Sequence, residues 1–326
     1  MGISACIIAK NEEKSIESCL KSIVDVVDEI ILVDTGSSDK TVEIATKYGA
    51  KIFFEKWNND FSSARNKAID MATKEWILVI DCDEVLAEDS KYKLKDIVKD
   101  DTQEAFGIDI INIINGVESY SSLHLRLFKN KPEYRYKGII HEQMDLNNKN
   151  LEVLRAHINF IHSGYGNDDE LEIKKRERNL KILNLVDEDK RDGMYYFHLG
   201  AEYTRVNDHD TASEILKKGY EIADKSEPYF TQLAQRLVDS LFANNQYKEC
   251  IQYCDEILKH FIDFKCIYFT RAASYIQVRN YSNALLSLKI YDYLQDKPAK
   301  YPVVRHDELN DIQGLINALE KEVSVR

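Results

Sequence analysis

Proline occurs only four times in the 326 residues, and no run of apolar residues is long. With 44% hydrophobic and 31% charged residues, the composition is that of an ordinary soluble globular protein, long enough for one large domain or two of common size. An excess of positive charge is also missing. The formal net charge of −12 argues against a general nucleic-acid binder, which would show a basic patch or stripe. A phosphate-bearing small ligand stays open, because a few cations and a metal offset charge locally. No stretch approaches the roughly 18 apolar residues of a membrane span. The opening "MGISACIIAKNEE" lacks the basic segment and the apolar length of a signal peptide, and Cys6 stands where a myristoylation signal needs Ser or Thr. The expected location is the cytoplasm, or at most the periphery of a membrane.

Cys-x-x-Cys pairs are absent. Of the six cysteines, Cys250 and Cys254 share a helix face, but no Cys/His pair lies nearby to complete a metal site. They are expected to be small buried side chains in a reducing compartment. Three catalytic signatures are lacking as well. "AKNEEKS" after the first strand is not a Gly-x-Gly-x-x-Gly cradle, which speaks against hydride chemistry, and there is no Walker loop or Gly-x-Ser-x-Gly elbow.

What is present begins with alternation. "ISACIIA" (3–9), "EIILVD" (29–34), "KIFF" (51–54) and "WILVI" (76–80) read as strands. Between them fall an amphipathic helix over 13–24, a helix opened by "TGSSDKT" and ended by Gly49, and a helix over 61–72. This β-α-β-α-β-α-β order predicts a parallel sheet with helices on its faces. From 105 to 162, "FGIDIINI", "LHLRLF" and "HINFI" read as strands of mixed direction, and a charged helix over 168–185 follows. Beyond 193 the texture is helical. Tyr203-x8-Ala212, Leu241-x8-Cys250 and Tyr275-x8-Ala284 align at offsets of 38 and 34 residues, with Gly200, Val238 and Ala272 at one further position. A period near 34 is that of tetratricopeptide helix pairs. The expected domains are a sheet domain over 1–165, a linker helix over 166–192 and a helical repeat domain over 193–326.

Open parallel sheets bind ligands outside the carboxyl ends of their strands. Those ends carry Asn11 and Glu12, Asp34 and Asp39, and Asp81, Asp83 and Glu84. Carboxylates do not bind phosphate directly. They hold a hard divalent cation that does, and they accept hydrogen bonds from ribose hydroxyls or a base edge. Acids at three successive strand ends therefore point to a nucleoside diphosphate held through a metal that acts as a Lewis acid on the leaving phosphate.

Taken in order, "CIIAKNEE", "ILVDTGSSDKT", "DFSSARNKAI" and "VIDCDE" resemble the family-2 glycosyltransferases of the GT-A fold, a Rossmann-like α/β domain for nucleotide-diphospho-sugars. "LRLFKNKPEYRYKGIIHEQ" and "FIHSGYG" look like the bacterial branch with C-terminal tetratricopeptide-like repeats, which includes transferases acting on bacteriocin peptides (the sublancin type) and on flagellins. The resemblance covers about 1–185 well and the repeats loosely.

It implies a transferase for a UDP-sugar, glucose or N-acetylglucosamine being the expected sugar. Asn11, Glu12 and Asp34 would lie on the nucleoside with Asp39 near the same turn, and Arg65 and Asn66 would reach the base or diphosphate. Asp83 would ligate Mn²⁺ or Mg²⁺, Asp81 would touch ribose or metal, and His162 would add a nitrogen ligand, a mixture that Mn²⁺ tolerates better. A histidine ending a strand is equally at home as a satisfied structural residue. Inverting transfer needs a base, for which Glu142 is the candidate, with Asp109 and Glu84 behind it. His141 and Glu142 would serve as well to clamp the connector to the sheet. Lys174, Arg178 and Lys181 would either steady a diphosphate or pair with their own helix's glutamates.

Solenoids present extended surfaces suited to a peptide. A peptide or protein acceptor is therefore expected, with a homodimer through the repeats as a further use. The alternatives are a surface polysaccharide or lipid-linked glycan as acceptor, a non-catalytic repeat scaffold, and a nucleotidyltransferase, which would release pyrophosphate.

Overall fold

The computed structural model describes residues 2–100, 102–114, 117–146, 153–165, 169–298, 301 and 311–324. The chain separates into two compact units, Met1–Lys175 and Arg176–Arg326.

The first unit opens with β1 (Ile3–Ala9), α1 (Ile16–Ile23), β2 (Glu29–Asp34), α2 (Thr41–Lys47), β3 (Lys51–Phe54), α3 (Phe61–Met71) and β4 (Trp76–Val79). There follow β5 (Glu84–Leu86), α4 (Lys91–Ile97), β6 (Ala105–Ile114), β7 (Val117–Lys129), the hairpin of β8 (Arg135–Lys137) and β9 (Gln143–Asp145), and β10 (Leu154–Tyr165). Eight strands form one sheet in the order β3-β2-β1-β4-β7-β6-β10-β5. β1 to β4 are mutually parallel, β7 runs against β4, and β10 lies parallel to β6. β1, β2 and β4 are buried along almost their whole length and mostly apolar, as strands of a parallel sheet covered on both faces are.

Side-chain alternation sorts the faces. Ile3, Ala5 and Ile7 of β1 and Trp76 and Leu78 of β4 pack with Ile16, Cys19, Leu20 and Ile23 of α1. Full burial of such an Ile or Leu is worth about 1.5–3 kcal/mol. The opposite set, Cys6, Ile77 and Val79, packs with Ala68 and Ile69 of α3. Helix α1 starts later than its periodicity predicts. The Glu12 carbonyl accepts from Ser15 N (3.1 Å) and Ile16 N (2.9 Å), so a separate turn precedes it.

At the amino ends of the strands one carboxylate ties three of them to the turn before β4. Glu29 Oε1 accepts from Lys51 Nζ (2.6 Å) and Thr73 Oγ1 (3.0 Å), and Oε2 from Ser4 Oγ (2.6 Å) and Thr73 N (2.8 Å). Burial works to raise the Glu29 pKa, but Lys51, Ser4 and Thr73 together bring it down to about 2. A depressed folded-state pKa stabilises above the unfolded value near 4.5, and that stability is lost as the pH falls through 2. Glu29→Gln is therefore expected to lose on the order of 3 kcal/mol at pH 7. In urea melts the gap to wild type should close between pH 5 and 2. A gap unchanged across that window would mean that the ionised carboxylate is not its source.

Helix α5 (Asp169–Leu183) runs through the division between the units. The second unit continues with α6 (Gly193–Thr204) and α7 (His209–Ile222), α8 (Phe230–Ala243) and α9 (Tyr247–His260), α10 (Lys265–Gln277) and α11 (Tyr281–Gln295), then α12 (Ile312–Ser324). The repeat recurs in the backbone. Asn207, Asn245 and Arg279, each four residues after the aligned Tyr203, Leu241 and Tyr275, take left-handed φ values of 58°. In each pair the next N–H returns to the carbonyl of the aligned residue, at 3.1, 2.9 and 2.9 Å. Ala212, Cys250 and Ala284 are fully buried. At Gly200 a Cβ would fall 2.5 Å from Leu216, so only glycine allows that approach. Among the described residues no helix is long and apolar enough to cross a membrane.

Candidate active site

The loops after β1 and β2 are zipped together by side chains. Asn11, at a left-handed φ of 57°, accepts from Ser38 N through Oδ1 (2.8 Å), while its own N–H donates to Ser37 Oγ (2.9 Å). Asp34 Oδ1 accepts from Gly36 N (3.0 Å) and Ser37 N (2.9 Å), a turn that Gly36 closes at a φ of 111°. Asp34 Oδ2 is buried with no hydrogen-bond partner. A buried oxygen left in that state costs about 1–3 kcal/mol, which a ligand hydroxyl or N–H would recover. Asp39 serves the loop itself, accepting from Thr41 N and Oγ1 on one oxygen and from Glu13 N on the other. Burial raises the pKa of Glu12, and the carboxylates of Asp83 and Asp81 add to the rise.

By the alternation of β4, Asp81 leaves the strand on the α3 face, where Arg65 in the first half of α3 meets it. Arg65 Nη1 lies 2.8 Å from Asp81 Oδ1, and Arg65 Nε donates to Glu142 Oε1 at 2.5 Å. Arg126 of β7 donates through Nη2 to Asp81 Oδ2 (2.8 Å) and to Glu84 Oε1 (3.1 Å). Glu142, Arg65, Asp81, Arg126 and Glu84 thus alternate in sign along one chain of contacts. Burial opposes ionisation of Asp81, yet the two guanidinium groups hold its carboxyl well below the usual carboxylate range. Burial pushes Glu84 up to about 7 against the pull of Arg126, and its other oxygen accepts from Asp81 N at 2.9 Å. Glu142 keeps Oε2 without a partner among the described residues.

Strand β5 runs antiparallel to β10 with Glu84 opposite His162, which brings Asp83 to the imidazole. His162 Nε2 is 3.1 Å from Asp83 Oδ2, and His162 Nδ1 is 3.0 Å from Asn112 Oδ1. Burial acts to lower the His162 pKa, and Asp83 outweighs it. Two atoms ligating one ion at about 2.1 Å, with about a right angle between them, lie about 3 Å apart. Asp83 and His162 are therefore spaced as two residues that would hold a single divalent ion, and Asn112 would fix the ring for that task. Asp81 is committed to its arginines. Among the described residues no cluster of three or more His, Cys, Asp or Glu forms a ready-made metal cage.

Two candidates stand apart. Asp109 is gripped by Arg155 through both oxygens at 2.8 Å, and the Asn66 amide spans the backbone N–H and C=O of Tyr136. On α5, Arg178 donates to Asn179 Oδ1, whereas Lys175 is the cation near enough to Glu12 to lower its pKa. Of "FIHSGYG", Gly166 lies outside the described residues. Arg126 and Asn112 escaped the sequence reading. The usable signal was Arg126 itself, a charge inside the apolar alternation of "LHLRLF", since a buried guanidinium requires a carboxylate.

Residues 4–161 match the model of glycosyl transferase family 2. Over 303 residues the chain is 30% identical to the SPbeta prophage-derived glycosyltransferase SunS of Bacillus subtilis strain 168, which covers 88% of this chain and 70% of that protein. Over 143 residues it is 41% identical to a TPR repeat-containing protein of Synechococcus elongatus, which covers 44% of this chain; the chain spans only about a third (35%) of that relative's length. The solved structure of S. aureus TarS 1-349 in complex with UDP-GlcNAc superposes with a TM-score of 0.42 at 14% identity, covering 90% of this chain and 92% of that one.

Proposed function

The chain belongs to glycosyl transferase family 2, and from that premise we propose that it is a metal-dependent, inverting transferase moving a sugar, glucose or N-acetylglucosamine, from a UDP-sugar to a peptide or protein. The observation that carries this reading is the Asp83–His162 pair, set 3.1 Å apart at the ligand-binding end of the parallel strands.

In this reading Asp34 Oδ2 receives a hydrogen bond from the nucleoside, and the loops tied by Asn11 hold it. A Mn²⁺ or Mg²⁺ ion on Asp83 and His162 would neutralise the departing diphosphate. The acceptor nucleophile attacks the anomeric carbon from the face opposite the nucleotide. Its bond to that carbon forms as the bond to the phosphate oxygen breaks, Glu142 Oε2 takes its proton, and UDP leaves. Glu84 and Asp109 suit the base role less well, because both oxygens of each are already engaged. A peptide acceptor accords with helical repeats, whose stacked pairs present long surfaces.

The test is UDP binding and hydrolysis of a panel of nucleotide sugars, with and without Mn²⁺, on wild type and Asp83→Asn. Mn²⁺ should tighten UDP at least tenfold in the wild type, about 1.4 kcal/mol or more, and the tightening should vanish in the variant. If no nucleotide sugar binds the wild type with or without metal, the transferase reading falls.

A further inference from the structure

The second unit carries a cavity that the transfer chemistry does not use. It has a volume of about 420 Å³ and lies where α7 and the turn after it meet α9, with walls that include Tyr220, Glu221, Lys225, Glu249, Tyr253 and Glu256. That volume is within the range of small-ligand sites.

Three features of the wall point to a cation. First, Tyr220 is 5% exposed, and its hydroxyl is buried without a hydrogen-bond partner of good geometry, although Glu256 is close enough to add to the rise that burial causes in its pKa. Second, the rings of Tyr220 and Tyr253 meet edge to face at 5.3 Å, so aromatic and carboxylate groups share one wall. Third, the charges do not balance. Lys217 neutralises Glu249 (2.8 Å) and Lys225 lies 3.6 Å from Glu256, but Glu221 has no ion-pair partner among the described residues. The wall already holds one cation: Lys225 Nζ sits 6.0 Å from the centre of the Tyr220 ring. A second cation would find Glu221 without an ion-pair partner among the described residues, and a Tyr220 oxygen that can still accept where its hydroxyl faces Glu256.

We propose that this cavity binds a lysine or arginine side chain of the acceptor polypeptide, the cationic head lying between Glu221 and Glu256 and donating to Tyr220 Oη. Only the identity of the partner rests on the transferase reading; the preference for a cation rests on the cavity. The repeats thereby select acceptors carrying a basic residue away from the sugar-accepting atom.

The probe is acetyl-Gly-Gly-Arg-Gly-Gly-amide, with the Gln counterpart as control, titrated into the ¹⁵N-labelled full chain at physiological ionic strength. The Arg peptide should shift amide signals of 220–225 and 249–256 saturably, and the Gln peptide should not. Glu221→Gln with Glu256→Gln should weaken binding at least tenfold. Tyr220→Phe keeps the ring and removes the buried hydroxyl beside Glu256, so it should weaken binding several-fold with its melting temperature little changed. Glu188→Gln, at a carboxylate 90% exposed elsewhere, should leave binding intact. Absence of saturable shifts in the wild type overturns the proposal. So does equal weakening by Glu188→Gln, which would mean general attraction to an acidic protein. UDP release from nucleotide sugars, followed on the same samples, separates the two readings. Release without peptide binding sinks the cavity alone, and peptide binding without release under any donor sinks the transferase alone.

Discussion

Asp81→Asn is expected to destabilise the first unit by about 3 kcal/mol, more than any other single isosteric change at the site. Asp81 is the anion shared by two guanidinium groups, each 8% exposed, which approach it at 2.8 Å from α3 and from β7. Its removal leaves Arg65 and Arg126 facing each other across an amide. Arg65 retains Glu142 and Arg126 retains Glu84, which keeps the loss near the lower end of the range for a broken buried pair. Asp109→Asn is the internal comparison. Its partner Arg155 is 55% exposed and can turn to water, so the expected loss is below about 1 kcal/mol. Urea unfolding followed by the fluorescence of Trp76, which is fully buried, measures both. Equal small losses would mean that the alternating charges are solvated and do not lock the site.

The contrast between these two aspartates marks how far a sequence can be read. Asp81 and Asp83 were legible because a buried apolar run ends abruptly in acids, and a parallel sheet has only one end at which it takes ligands. Asp109 in "FGIDIINI" reads from sequence as a fallback base, but its pairing with Arg155 depends on a register between β6 and β10, 46 residues apart, which no local pattern states. The same holds for Arg65 with Glu142, 77 residues apart. β5 was missed because three residues carry no period, although that short strand is what sets Asp83 against His162. The repeats were legible through their small buried residues. The structure adds a reason for the spacing: every pair turns on a left-handed residue at the same offset, twice asparagine and once Arg279.

Glu142→Gln is expected to lower kcat for sugar transfer by about 10²–10⁴, the range for loss of a general base, while leaving the affinity for UDP within a factor of a few. The neutral amide still offers Arg65 Nε an acceptor, so the guanidinium, held also by Asp81, need not move. Only the capacity of Oε2 to take a proton disappears. The backbone fixes the place of Glu142, for Gly138 and His141 both take left-handed φ values, 98° and 53°, in the connector that carries it. Phe61 N donates to Ile139 O at 2.9 Å, so the turn is fixed to the start of that helix. Such anchoring fits a proton acceptor, but it fits a clamp as well. The split between constants decides. A clamp would show itself as weakened donor binding and a lower melting temperature with kcat reduced less than tenfold, because the nucleophile would still find its base elsewhere. A base would lose kcat alone, with UDP binding and unfolding unchanged. In that case Arg65 has a second task, keeping Glu142 ionised and aimed until the acceptor arrives.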